Sequence, residues 1–272
     1  MTVPAGVGAA FEKARADGRA VLVGYLPAGY PTVDASVAAC HAMIDAGVDL
    51  VEVGLPYSDP VMDGPVIQEA AQRALAGGVR TRDVLRVVEQ VAAHGVPTVV
   101  MSYWNPIERY GVDSFARDMA AAGGAGLITP DLIPDEAAEW IAASDTHHLD
   151  RIFLVSPSST DARITATVAA CRGFVYATSV MGVTGARATT SEAAPTLVER
   201  VRRLTSGVPV GVGLGVRDGA QAAAVGAYAD AVIVGSALVA CLVDSAGDDA
   251  AGRAAIGRLV TDLADGVRSA RR

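Results

Sequence analysis

Short apolar runs with the composition of β-strands recur eight times along the chain, and helical stretches separate them. The runs are rich in Val and Ile and are bounded by Gly, Pro or Asp, which is typical of strands buried on both faces of a parallel sheet. They cover residues 20–26, 49–54, 97–103, 125–129, 151–156, 174–179, 208–213 and 230–235.

Between these runs, apolar residues recur at steps of three and four, which predicts amphipathic helices. The predicted helices cover residues 33–46, 81–94, 113–123, 134–144, 162–171, 194–204, 217–226 and 252–270. A further helix at 5–17 precedes the first strand and is expected to cover the bottom of the sheet. Another is expected inside the longest connection, 54–80, and a long connection in a compact domain is commonly functional.

Eight strands that alternate with helices in 272 residues predict an α/β fold, a single (β/α)8 TIM barrel spanning residues 1–272 with an extra N-terminal helix. A doubly wound sheet is the alternative fold. Against it, no GxGxxG motif follows the first strand and no linker divides the chain. In a TIM barrel, function is expected at the C-terminal ends of the strands.

The residue types at those strand ends exclude several chemistries. The only lysine, Lys13, lies near the N-terminus, so a Schiff-base aldolase and a pyridoxal-phosphate lysine are excluded. None of the four histidines, His41, His94, His147 and His148, falls at a predicted strand end, so a His-ligated metal has no place to form. A three-carbon sugar isomerase is disfavoured for the same reason. We therefore expect carboxylate acid–base chemistry, with tyrosines as walls or helpers.

Charge and cysteine usage narrow the partners and the compartment. The net charge of −8 argues against a nucleic-acid or anionic-membrane surface, and no apolar run is long enough to cross a membrane. Three widely spaced cysteines, Cys40, Cys171 and Cys241, are typical of reduced thiols in a cytoplasmic protein.

The stretch VEVGLPYSDPVMDGP, residues 51–65, contains the strongest catalytic candidates. Glu52 interrupts an apolar strand, and because side chains alternate along a strand it points away from the face that carries Val51 and Val53. If it points into the barrel mouth, burial raises its pKa toward neutrality. A structural Glu–Arg ion pair is the alternative. Asp59 and Asp63 lie in the loop, in DP and DG contexts where Asp is also common for local turn reasons.

Glycine-rich segments follow the last three predicted strands: GVTGAR (182–187), GVGLGV (211–216) and VGSA (234–237). In barrels, the loops after strands seven and eight commonly bind phosphate through backbone N–H groups and a helix N-terminus. Tight βα turns are the alternative explanation for each glycine. The segment around GVTGAR also has the small residues and Gly hinges of a lid, with an ordinary surface loop as the alternative.

The stretch VEVGLPYSDPVMDGPVIQ, followed in order by GVTGAR, GVGLGV and IVGSA, closely resembles tryptophan synthase alpha chains over nearly the whole chain. The resemblance implies a TIM barrel that cleaves indole-3-glycerol phosphate to indole and glyceraldehyde 3-phosphate by a retro-aldol reaction without a cofactor. It implies that Glu52 performs the acid–base steps and that Asp63 accepts a hydrogen bond from the indole N–H. Met62 departs from the small residue common beside that aspartate.

The resemblance also implies the rest of the site. Its substrate-binding residues are Tyr25, Tyr103, Ile128, Leu154, Tyr176 and Thr184, and its phosphate-binding residues are Gly185, Gly215, Gly235 and Ser236. The implied partner is a pyridoxal-phosphate beta chain that receives the indole, in a heterotetramer, through a surface that includes Pro56, Asp59 and Asn105. The stretch DLIPDE places Pro134 one position later than the family pattern, so the pattern does not predict the contact surface around Asp131.

Three other functions stay open from the residues alone. A prenyl-glyceryl phosphate synthase would need a Mg²⁺-binding carboxylate near the phosphate loops, and none is found at strands seven or eight. The chain could instead act as an interaction subunit that activates its partner and has little turnover alone, or as a stand-alone lyase that releases indole.

Overall fold

Eight parallel strands close into a barrel in which each strand pairs with its neighbours in chain order and β8 pairs with β1. The structure is a computed structural model that describes residues 6–178, 193–213 and 215–270. The strands are β1 Val21–Pro27, β2 Leu50–Gly54, β3 Thr98–Met101, β4 Gly126–Thr129, β5 Asp150–Val155, β6 Val175–Thr178, β7 Val210–Gly213 and β8 Ala231–Val234. The predicted TIM barrel is confirmed, and each strand lies inside or within one residue of its predicted run.

Helices surround the barrel on its outside. They are α1 Val7–Ala16, α2 Val33–Asp45, α3 Pro65–Ala76, α4 Thr81–Ala92, α5 Trp104–Tyr110, α6 Val112–Ala121, α7 Ala138–Thr146, α8 Asp161–Ala170, α9 Ala193–Leu204, α10 Gly219–Gly226, α11 Ser236–Val243 and α12 Asp249–Ser269. Among the described residues, no helix combines the length and the apolar composition that crossing a bilayer requires.

Two helical boundaries differ from the prediction. The stretch predicted as one helix over 134–144 begins with a separate 3₁₀ turn at Pro134–Glu136, and α7 starts only at Ala138. The short helix α5 was not predicted, because its seven residues are too few to show a clear apolar period.

Alternation along the strands separates two apolar cores. Residues such as Val23, Leu50, Val99, Ile128 and Ile152 belong to the cluster inside the barrel. Their immediate neighbours along the strands face the surrounding helices and belong to the larger outer cluster. Because the side-chain period of a strand is two residues, position 52 points to the same side as Leu50, into the barrel.

Helix α1 closes the bottom of the barrel, as the sequence predicts. Val7, Ala10, Phe11 and Ala14 belong to the same apolar cluster as the barrel interior, and the Phe11 ring lies 5.6 Å from that of Phe174. The Asp150 carboxylate at the start of β5 accepts a hydrogen bond of 2.9 Å from the backbone N–H of Val7. This contact fixes the first turn of α1, so only the opposite end of the barrel is available for a ligand.

Candidate active site

Glu52 lies near the C-terminal end of β2 with only 1% of its surface exposed. Its strand neighbours are Tyr25 on β1 and Val99 on β3. It points into the barrel above Leu50, and its Oε2 atom has no hydrogen-bond partner among the described residues. The structural Glu–Arg ion pair weighed as the alternative is absent among the salt bridges of the described part of the chain, so within that part the buried acid faces the barrel mouth without an arginine partner.

The surroundings of Glu52 favour its protonated form. Burial, followed by the negative charge of Asp63, raises the pKa of this carboxyl from 4.5 to about 8. Ionisation of a buried carboxyl without an ion-pair partner is unfavourable in free energy, because water no longer solvates the charge. At neutral pH Glu52 therefore holds a proton that it can donate.

Asp63 ends the loop that follows β2, immediately before the N-cap Gly64 and the first helical residue Pro65 of α3. The side chain of Gln68 donates a 2.8 Å hydrogen bond to the Asp63 backbone carbonyl. Burial raises the pKa of the Asp63 carboxyl to about 6, and a hydrogen bond from the Tyr103 side chain opposes that rise. Asp63 is therefore mostly ionised at neutral pH, in contrast to Glu52.

At the barrel mouth, the phenol rings of Tyr25 and Tyr176 pack directly over Gly54 and Gly213. A Cβ atom added at Gly54 would lie 2.3 Å from the hydroxyl of Tyr25, and one added at Gly213 would lie 2.2 Å from the hydroxyl of Tyr176. Only a residue without a side chain fits under each phenol. Burial, followed by the charge of Glu52, raises the pKa of Tyr176, so this hydroxyl lies near Glu52 and keeps its proton.

Apolar residues complete the wall of the mouth. Ile128 on β4 is fully buried in the interior cluster, and Leu154 on β5 is partly buried against it. Leu154 is the direct register partner of Tyr176 on β6. The two carboxylates therefore face a lining of aliphatic and aromatic side chains, which suits a flat apolar ligand.

The described residues of the predicted phosphate site follow β7 and β8. Gly235 is the N-cap of α11 and Ser236 is its first residue. Gly215, after β7, has φ of 69°, a left-handed conformation that favours glycine. The first N–H groups of a helix have no acceptor within it and attract anions. Gly185 of this predicted set and Thr184 of the substrate set lie outside the described residues.

The loops after β2, β3 and β4 form an exposed rim beside the mouth. Asp59 and Asn105 are exposed, but Pro56, predicted on the partner surface, is buried. Asp59 accepts a 2.6 Å hydrogen bond from the adjacent Ser58 hydroxyl. Asp131 accepts a hydrogen bond of 2.9 Å from the backbone N–H of Trp104, which connects the β4 loop to the start of α5.

Several contacts at the mouth were not predicted. The hydroxyl of Tyr103, predicted only as part of the wall, accepts a 2.9 Å hydrogen bond from the backbone N–H of Met62. The contact of Gln68 with Asp63 was also not predicted, and neither was the packing of the two phenols of Tyr25 and Tyr176 over glycines. The position of Gln68 in the first turn of α3 was the one available signal, since a polar side chain there faces back toward its loop. Within the described ranges, no group of three or more His, Cys, Asp or Glu residues is placed to hold a metal ion.

Comparison with known proteins gives one consistent result. The profile of the family described as "Tryptophan synthase alpha chain" matches residues 11–268. The tryptophan synthase alpha chain of Salinispora arenicola is 66% identical over 263 residues, which cover 97% of this chain and 98% of that one. The alpha chain of Nocardia farcinica is 62% identical over 260 residues, or 96% of this chain and 95% of that one.

Solved structures agree with the sequence relatives. A chain of Mycobacterium tuberculosis tryptophan synthase superposes with a TM-score of 0.90 at 60% identity, covering 96% of this chain and 98% of that chain. The tryptophan synthase alpha subunit of Legionella pneumophila superposes with a TM-score of 0.87 at 31% identity, covering 96% of this chain and 97% of that chain.

Proposed function

The chain belongs to the tryptophan synthase alpha chain family, and on that premise we propose that Glu52 and Asp63 carry the chemistry of its reaction. The reaction is the retro-aldol cleavage of indole-3-glycerol phosphate to indole and glyceraldehyde 3-phosphate in tryptophan biosynthesis. The observation that supports this assignment is the 1% exposed carboxyl of Glu52 inside the barrel mouth, whose Oε2 atom has no hydrogen-bond partner among the described residues. It lies close enough to Asp63 for the charge of Asp63 to raise its pKa.

Glu52 first donates its proton to C3 of the indole ring. The ring becomes an indolenine whose positive charge is shared with the nitrogen, and the bond from C3 to the adjacent side-chain carbon weakens. The Glu52 carboxylate then takes the proton of the hydroxyl on that carbon as the carbon–carbon bond breaks. The bonding electrons return to the ring, the hydroxyl becomes the aldehyde, and Glu52 has recovered its proton.

Asp63 stabilises the charged intermediate. Its carboxylate accepts the hydrogen bond of the indole N–H, which becomes more acidic as C3 is protonated, so the interaction strengthens toward the transition state. The order of the two pKa values supports these roles, because at pH 7 a carboxyl of pKa about 8 is an acid and one of about 6 is an anion. Tyr25, Tyr176, Ile128 and Leu154 form the walls around the ring.

We assign the phosphate group of the substrate to the part of the mouth formed by the loops after β7 and β8. Gly235 and Ser236 present the first backbone N–H groups of α11, and Gly215, in a left-handed turn after β7, belongs to the same proposed site. Backbone donors suit this task because they bind the anion without a side-chain charge. Gly185 and Thr184 belong to the same proposal on the strength of the family pattern.

The partner that we propose is a tryptophan synthase beta chain, a pyridoxal-phosphate enzyme that receives the indole in a heterotetramer. The rim formed by the loops after β2, β3 and β4 supports this surface. It carries Asp59 and Asn105, which are exposed. It also carries Val61 and Ile133, the large hydrophobic residues that are exposed in the described part of the chain, at 68% and 43%. We place the reaction in the cytoplasm.

The test is incubation of the purified chain with indole-3-glycerol phosphate, followed by detection of indole, with and without a beta chain. Glu52→Gln should remove nearly all turnover, while Glu69→Gln, on α3 with its side chain 43% exposed, serves as the matched control. Indole release that survives Glu52→Gln contradicts the assignment of the acid. Release that appears only when a beta chain is present identifies the chain as a subunit that needs its partner.

A further inference from the structure

The phenol oxygen of Tyr103 lies at the centre of the loop that carries Asp63. Tyr103 is the N-cap residue of α5, directly after β3, and is 5% exposed. Its hydroxyl oxygen accepts the backbone N–H of Met62 at 2.9 Å, across 41 positions of sequence. The backbone N–H groups of Val61 and Asp63 also lie close enough to that oxygen to interact with it. Residues 61–63 therefore wrap around one side-chain atom.

The same hydroxyl has a proton to donate, and the carboxylate of Asp63 lies near enough to interact with it. A phenol can accept through its lone pairs while it donates its single proton. The side-chain hydrogen bond between Tyr103 and Asp63 favours the ionised carboxylate. Burial and the nearby charge of Asp63 raise the pKa of Tyr103 to about 12, so the phenol keeps its proton at neutral pH.

Other contacts hold the Tyr103 ring and the Asp63 backbone in place. The ring of Tyr57 packs against that of Tyr103 with centroids 5.1 Å apart. Gln68 holds the carbonyl of Asp63 at 2.8 Å but does not contact its carboxylate. The loop otherwise runs over the surface, with Asp59 and Val61 exposed. Tyr103 is thus the described side chain that both anchors the loop and bonds the reactive carboxylate.

We propose that Tyr103 is a positioning residue for Asp63: its hydroxyl gathers the backbone of residues 61–63 and hydrogen-bonds the Asp63 carboxylate, which is held ionised and aimed at the indole nitrogen. This inference rests on the role of Asp63 in the proposed function. It gives Tyr103 a task that acts through Asp63, in addition to its place in the wall of the mouth.

The first test is a double-mutant cycle on kcat/KM for indole release at pH 7.5, with the beta chain present. Tyr103→Phe removes the hydroxyl but keeps the ring that packs on Tyr57, so the fold should persist with an unchanged Tm. It should lower kcat/KM about tenfold, as expected when a hydrogen bond to a charged group is lost. In an Asp63→Ala background, where no carboxylate remains to be positioned, the same change should cost less than about twofold.

The second test measures the protonation of Asp63 directly. Aspartate carboxyl carbons are labelled with ¹³C, and the Asp63 signal is assigned by its disappearance in Asp63→Asn. In Tyr103→Phe the Asp63 carboxyl should titrate at a higher pH than in the parent chain, because the anion has lost a donor. Tyr110→Phe is the matched control, since Tyr110 donates a 2.8 Å hydrogen bond to Asp118 at the outer end of α5. It should change neither kcat/KM nor the Asp63 titration.

The outcomes separate this inference from the proposed function. An Asp63 titration that does not move in Tyr103→Phe overturns the inference, and so does an equal loss of kcat/KM with and without the Asp63 carboxylate. If Asp63→Ala itself keeps full activity, the role of Asp63 in the proposed function fails as well. If Asp63→Ala is impaired while Tyr103→Phe is not, only the positioning role fails.

Discussion

Replacement of Glu52 by Gln should make the protein more stable at neutral pH while it removes activity. In the folded chain the pKa of this carboxyl is raised from 4.5 to about 8. An unfolded chain ionises the group near its ordinary pKa, so between pH 4.5 and pH 8 unfolding releases a proton. The contribution of Glu52 to stability is therefore fully present below the unfolded pKa and is lost as the pH rises toward the folded pKa.

The size of the effect follows from the pKa difference. One pKa unit corresponds to about 1.4 kcal/mol, so at pH 7 the buried acid costs about 3 kcal/mol of unfolding free energy, and above pH 8 about 5 kcal/mol. Glutamine has nearly the same shape and does not titrate. The free energy of unfolding of Glu52→Gln should match that of the parent near pH 4.5 and exceed it increasingly above that pH.

The assay is urea unfolding of both chains at about pH 5, 7 and 8, with Glu69→Gln as control. Glu69 pairs with Arg73 at 2.7 Å on the exposed side of α3, and its loss should change stability by less than about 1 kcal/mol at each pH. Glu52→Gln should also lower kcat by at least about a hundredfold, the usual scale of general acid–base catalysis. A stability difference between Glu52→Gln and the parent that does not vary with pH would refute the reasoning, because it would mean that Glu52 is not held protonated by burial.

Three further predictions concern the mouth of the barrel. Asp63→Asn should lower kcat/KM about tenfold to a hundredfold, through loss of a transition-state hydrogen bond; wild-type turnover in this variant contradicts the role of Asp63. In the parent chain, kcat/KM should rise as the pH passes about 6, where Asp63 ionises, and fall as the pH passes about 8, where Glu52 loses its proton. An initial-rate profile without the alkaline decline would contradict the acid role of Glu52. Gly213→Ala should lower kcat/KM about a hundredfold, because the added methyl group would collide with the Tyr176 hydroxyl and displace the phenol. Gly257→Ala, where nothing lies within 4 Å of the added methyl group, should be neutral. Equal rates for the two variants would show that the packing of Tyr176 over Gly213 does not matter.

The sequence by itself determined the architecture and predicted which two acids are the catalytic candidates. Eight apolar runs with helical stretches between them can bury both faces of their strands only in an α/β arrangement, and the length of the chain favours the closed barrel. The sequence also predicted carboxylate chemistry, since its one lysine lies far from any strand end and its four histidines lie away from those ends. These inferences use local patterns and counts, which do not depend on how distant segments meet.

Tertiary structure decided the direction and the partners of each side chain. Strands buried on both faces show no alternation of apolar and polar residues, so the sequence could place Glu52 opposite Val51 and Val53 but could not tell which face was inside. Closure of the barrel placed it with Leu50 in the interior. The hydrogen bond between Tyr103 and Met62 joins residues 41 positions apart, and the packing of Tyr176 over Gly213 joins two strands. Such contacts arise from the packing of segments distant in sequence, and no local pattern records them.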